Sequence, residues 1–134
     1  MTNTIERGQI LLAHDEPKLR AGFARALANA GYGVVETGAL EEGFDLLYAA
    51  RPALAIVDAN LPDHAALKLA MAASARGAKV IVLDSANEPT DATLTMQVFA
   101  SARQLDKPVA PRTLTQAVLA VIGAPTPRET PHAA

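Results

Sequence analysis

The chain has 134 residues, half of them apolar and 19% charged, enough for one domain with a real hydrophobic core. Its 12 Lys and Arg against 14 Asp and Glu give a formal net charge of −2, without a basic run and without Trp, which argues against a nucleic-acid or membrane surface. The absence of Cys excludes disulfides and thiolate metal sites, and no apolar stretch approaches the ~18 residues of a membrane span.

The segment from Met1 to Gln9 is polar and lacks an apolar signal core, so a soluble, cytoplasmic protein is expected. Ile10 to Ala13 then forms a short apolar run ending at His14-Asp15-Glu16-Pro17. Pro17 tolerates a first helical turn and Asp15 favours its dipole, so a helix starts here. Leu19, Phe23, Ala26, Leu27 and Ala30 keep the helical period, and Gly31 is a natural stop. Val34 to Glu36 reads as a brief strand. Leu40 to Arg51 reads as a second helix, with Leu40, Gly43, Phe44 and Leu47 on one face and Pro52 ending it.

Leu54 to Val57 is a branched apolar run of the kind that forms a fully buried strand in a parallel sheet. It stops on Asp58, and Asn60, Pro62 and Asp63 mark the loop beyond. A carboxylate in that position either caps the next helix or serves chemistry, because ligands of open α/β sheets sit at the carboxyl ends of strands. A third helix from about Ala65 carries Leu67, Met71 and Ala75 and closes at Gly77. Val80 to Leu83 is another buried strand, followed by Asp84 and Ser85. Thr90 or Asp91 can cap a fourth helix reaching about Ala100, weakened by the poor propensities of Thr93, Thr95, Val98 and Phe99. A strand near Arg103 to Leu105 precedes Asp106-Lys-Pro108, and a fifth helix runs from Pro111 through Leu114, Val118, Val121 and Ile122 to Gly123. The remainder, Ala124 to Ala134, holds three prolines without apolar periodicity and reads as a disordered tail.

Five strands alternating with five helices through short loops imply a parallel sheet covered on both faces. The expected fold is α/β, a flavodoxin-like three-layer sandwich with a five-stranded sheet of order 2-1-3-4-5 over residues 9–123. In that order Asp15 and Asp58 meet at the switch point, with Asp84 on the far side of Asp58 and Lys107 beyond it. A single shallow pocket bounded by these four residues is expected.

From Gln9 to Gly123 the chain resembles the response-regulator receiver domain of two-component signalling. The resemblance rests on Ile10-Leu-Leu-Ala-His-Asp-Glu-Pro17, Ala55-Ile-Val-Asp-Ala-Asn-Leu-Pro-Asp63, Val80-Ile-Val-Leu-Asp-Ser85 and Leu105-Asp-Lys-Pro108 taken together. It implies that Asp58 is the phosphoacceptor and Lys107 its phosphoryl partner. It further implies Mg²⁺ held by Asp15, Asp58 and the carbonyl of Asn60, and a cis bond before Pro108. Hard Mg²⁺ prefers such oxygen donors.

Three positions depart from the family's pattern. His14 stands where the first of two metal-binding acids is usual, and as a metal ligand it is weak on chemical grounds. Asp84 stands where the hydroxyl of the conformational switch is usual, with Ser85 supplying it if the register slips by one. Gln104 stands at the aromatic switch position. Asp84 is expected to repel a phosphoryl group on Asp58.

The implied function is that of a non-enzymatic, single-domain regulator taking phosphate from a sensor histidine kinase or phosphotransfer protein. The alternative is a phosphorylation-independent interaction module of the same fold. Neither nucleic acid nor membrane is expected as a partner. A downstream effector would dock on the face of the fourth helix, fifth strand and fifth helix, near Val98 and Val118, and the chain would be a monomer or weak dimer. A nucleotide-binding reading fails because no Gly-rich loop follows the first strand. His64 and His132 read as solvated.

Overall fold

The computed structural model describes residues 9–85 and 87–125. Its elements in chain order are β1 (Gln9–Ala13), α1 (Pro17–Asn29), β2 (Gly33–Thr37), α2 (Leu40–Ala50), β3 (Leu54–Asp58), α3 (Ala65–Ala75), β4 (Lys79–Asp84), α4 (Asp91–Phe99), β5 (Arg103–Asp106) and α5 (Pro111–Ile122). A single turn of 3₁₀ helix, Pro62–His64, precedes α3. All strand pairings are parallel, and the sheet order is β2-β1-β3-β4-β5, as expected.

Residues of the inner strands alternate between two apolar layers, because successive side chains of a strand point to opposite faces. Ile10 and Leu12 of β1, Leu54 and Ile56 of β3, and Ile81 and Leu83 of β4 pack with Phe23 and Leu27 of α1 and Leu114 and Val118 of α5. The other parity faces α2, α3 and α4. Val57, Val80 and Val82 meet Leu69 and Met96, while Leu11 and Ala55 meet Leu47 and Ala73. Both faces of the inner strands are therefore dry, which explains their unbroken apolar runs. Polar side chains collect at the strands' carboxyl ends.

The helix boundaries follow local chemistry. Thr90, not Asp91, caps α4, its hydroxyl accepting the Thr93 N–H at 3.1 Å. Arg51 closes α2 in the left-handed region (φ 49°), with its N–H donated to the Leu47 carbonyl, just before Pro52. Asp15 does not cap α1; that position is Glu16, whose side chain makes no capping bond. The tail expected from Ala124 lies outside the described residues except for Ala124 and Pro125, and Pro125 sits against Gly31, where a Cβ would come within 2.9 Å of its ring. Among the described residues, no helix is long and apolar enough to cross a membrane.

Candidate functional site

Asp58 is the last residue of β3, and its carboxylate is almost fully buried at the point where the chain reverses between β1 and β3. Its Oδ1 accepts the N–H of Asn60 at 3.1 Å and a hydrogen bond from the Lys107 ammonium. Asp58 thus shapes the turn after β3 rather than capping the 3₁₀ turn at Pro62. Its Oδ2 faces Nε2 of His14 at 3.3 Å, slightly long for a full hydrogen bond. Lys107 follows β5, its N–H bonds the carbonyl of Asp84, and the Lys107–Pro108 peptide bond is cis.

His14 is 3% exposed, and its place is fixed from several sides. Its N–H bonds the carbonyl of Thr37 at 3.0 Å, and its own carbonyl accepts Nη1 of Arg20 at 2.6 Å. Arg20 also lies 3.6 Å from Glu36, and the imidazole packs on Phe23 with ring centroids 6.0 Å apart. Within the ring, Nδ1 accepts the N–H of Glu16 at 3.1 Å. A nitrogen that accepts a backbone N–H cannot itself carry the proton, so in the neutral imidazole the proton sits on Nε2, toward Asp58. Asp15 is more exposed, and its Oδ1 stands 3.9 Å from Nδ1, too far to compete with the Glu16 N–H.

His14, Asp15 and Asp58 bring one donor atom each within 4.8 Å of one another. The resemblance noted in the sequence implies Mg²⁺, and the two carboxylates suit a hard cation. The imidazole does not. It offers nitrogen, and the nitrogen on the Asp58 side carries a proton where a ligand needs a lone pair. As arranged, the three side chains do not fit Mg²⁺.

Asp84 ends β4 beside β3, as expected, and its side chain is bonded within its own segment. It is 3% exposed at the end of β4, but both its oxygens turn toward the β4–α4 segment. Oδ1 accepts the Ser85 N–H at 2.7 Å; Oδ2 accepts the Thr90 N–H at 2.8 Å and the Thr93 hydroxyl at 2.6 Å. Burial pushes its pKa up, but the hydrogen bonds from Thr90, Thr93 and Ser85 outweigh burial and hold it below the ordinary Asp value. The carboxylate stays ionised, its oxygens engaged by three neutral donors of the β4–α4 segment. Gln104 joins the same segment, its amide donating to the Ser85 carbonyl at 3.0 Å and to Asp106 at 3.2 Å. Of the four expected residues, Asp15 and Lys107 meet Asp58 together with His14, while the Asp84 carboxylate bonds to Ser85, Thr90 and Thr93.

Two residues at the site escape sequence reasoning: Arg20, which holds the His14 carbonyl, and Thr93, which holds Asp84. Both lie on helices, with no motif around them. Val98 is exposed on α4 as the expected docking face requires, whereas Val118 is buried in the core and Leu119 is the exposed apolar residue of α5.

A five-stranded parallel sheet of order β2-β1-β3-β4-β5 with helices on both faces defines the flavodoxin-like α/β class. The family model of the response regulator receiver domain matches residues 10–119, and the chain belongs to that family. Solved structures agree on the fold. The chemotaxis protein CheY4 of Vibrio cholerae is 22% identical over 85% of this chain and 98% of its own, with a TM-score of 0.73. A CheY-like receiver domain protein from Methanospirillum hungatei JF-1 is 24% identical over 85% and 92%, with a TM-score of 0.75. A receiver domain protein from Clostridium thermocellum is 22% identical over 86% and 94%, with a TM-score of 0.74. No curated protein sequence matches the chain significantly. Receiver domains are signalling domains, generally not classical enzymes.

Proposed function

We propose that this chain is a response regulator that accepts a phosphoryl group on Asp58 from a histidine kinase or phosphotransfer protein. The observation that carries this reading is the pairing of a buried carboxylate with the Lys107 ammonium at the switch point of the sheet. One carboxylate oxygen of Asp58 attacks phosphorus while the bond to the donor's leaving group breaks, the leaving group taking the electron pair and a proton from water. Lys107 meets the negative charge on the phosphoryl oxygens, and the Asn60 N–H steadies the turn that presents Asp58. Asp15, Asp58 and the Asn60 carbonyl would be the oxygen donors open to Mg²⁺, and His14 presents an N–H where an acid would complete the set.

The protein works in the cytoplasm as a monomer or weak dimer. An effector docks on the α4–β5–α5 face, where Val98, Phe99 and Leu119 are exposed apolar residues.

A second reading, a phosphorylation-independent interaction module, is favoured by the β4–α4 segment. There Asp84 and Gln104, rather than a hydroxyl and an aromatic residue, hold the chain by hydrogen bonds that do not involve Asp58. Mass spectrometry of the intact protein after treatment with phosphoramidate separates the two. The first reading expects an adduct of ~80 Da on the wild type and none on Asp58→Asn, which keeps the shape and loses the nucleophile. Equal adduct on both proteins would place the acceptor elsewhere, and none on either would favour the second reading.

A further inference from the structure

The Asp58 carboxylate faces three N–H groups, those of Lys107, Asn60 and His14, before any ligand arrives. His14 is not free to change this. Its backbone is pinned at Thr37 and Arg20, its ring lies on Phe23, and its Nδ1 is engaged by the Glu16 N–H. Ligation of a metal through Nε2 would require the proton to move to Nδ1, against a backbone N–H only 3.1 Å away. Metal-bound imidazoles generally donate their other ring N–H to an acceptor, and here that side meets a donor. The same substitution lightens the charge the pocket must carry. A neutral imidazole in place of an acid leaves Asp15, among the described residues, as the one carboxylate clustered with His14 and Asp58, and Asp15, at 45% side-chain exposure, is screened by water.

We propose that His14 takes the place of the divalent cation: its Nε2–H, with Lys107 and the Asn60 N–H, receives the phosphoryl oxygens at Asp58, so that the pocket accepts a phosphoryl group without Mg²⁺. This rests on the reading of Asp58 as acceptor. Bond making and breaking are those given above, with no added reactant, and the phosphoryl group brings about two negative charges that the ammonium and the two N–H groups meet.

Two measurements on the full chain test this. The first is phosphoramidate treatment with EDTA and, separately, with millimolar Mg²⁺, read as intact mass. The expected adduct fraction is the same in both, while His14→Asp, which restores an acid, acquires an adduct that depends on Mg²⁺. An adduct on the wild type only with Mg²⁺ overturns the proposal. The second is a Mg²⁺ titration followed by the Asn60 amide signal in a ¹⁵N-correlated NMR spectrum. The wild type is expected to show no saturating shift, and His14→Asp a saturating one, with Mg²⁺ bound about tenfold more tightly or better. A saturating shift on the wild type at millimolar Mg²⁺ overturns the proposal, whatever the adduct shows. An absence of adduct in both EDTA and Mg²⁺ sinks the acceptor reading itself, and the titration still decides what His14 does to the cation.

Discussion

A carboxylate buried at the end of a strand is costly unless donors surround it, and Asp84 has three. Because those bonds lower its pKa in the folded state, Asp84 contributes stability that is fully present above the ordinary Asp value and is lost as pH falls through the lower, folded value. Replacing Asp84 by Asn keeps the size, removes the charge and turns a donor toward Thr90 and Ser85. It should cost about 1–3 kcal/mol at neutral pH. Urea denaturation midpoints of wild type and Asp84→Asn, taken from neutral pH downward, should converge as the solution becomes strongly acidic; a gap that stays constant would show that the charge is not what the site holds. At this scale the sequence revealed identity better than direction. Asp58 and Lys107 were legible because strand ends and a loop motif place them. The turn of Asp84 and the tautomer of His14 were not, since each depends on which backbone N–H, that of Thr90 or of Glu16, stands within hydrogen-bond reach.

Among the elements, α4 is weakly held. Thr93, Thr95, Val98 and Phe99 are poor helix formers, and only Thr93 and Met96 of its nine residues are buried. Leu94, Val98 and Phe99 leave it an apolar outer side, Val98 at 72% and Phe99 at 69% exposure. Its start is therefore decisive. The Thr90 hydroxyl caps Thr93, and the Thr90 N–H and Thr93 hydroxyl both end on Asp84, so helix and strand are tied at one corner. Thr90→Ala should cost about 1 kcal/mol, the usual loss of an N-cap. Hydrogen exchange should show the loss first in the amides of α4, with those of α5 unchanged; equal acceleration in both helices would mean that α4 does not open by itself. The helix was legible from its period and cap residues. Its tie to Asp84 was not, because the two partners lie on different elements.

Across the whole molecule, alternation of strands and helices implied a parallel sheet covered on both faces, and the small size of a single open sheet suggested its order, which is the one found. That order brings His14 at the end of β1 beside Asp58 at the end of β3, and Lys107 to the same carboxylate from a position 49 residues further along the chain. What alternation could not supply is the fine geometry of the meeting: Arg20 reaching from α1 to the His14 carbonyl, and the imidazole seated on Phe23. The account stands on this convergence, with a protonated Nε2 of His14 facing Asp58. The most direct test is the two-bond ¹H–¹⁵N correlation spectrum of the His14 ring at neutral pH, assigned by its loss in a His14 variant. A protonated Nε2 and an unprotonated Nδ1 are expected, with the Nε2 signal shifting in Asp58→Asn. A protonated Nδ1, whether in the other neutral tautomer or in the imidazolium, would contradict it.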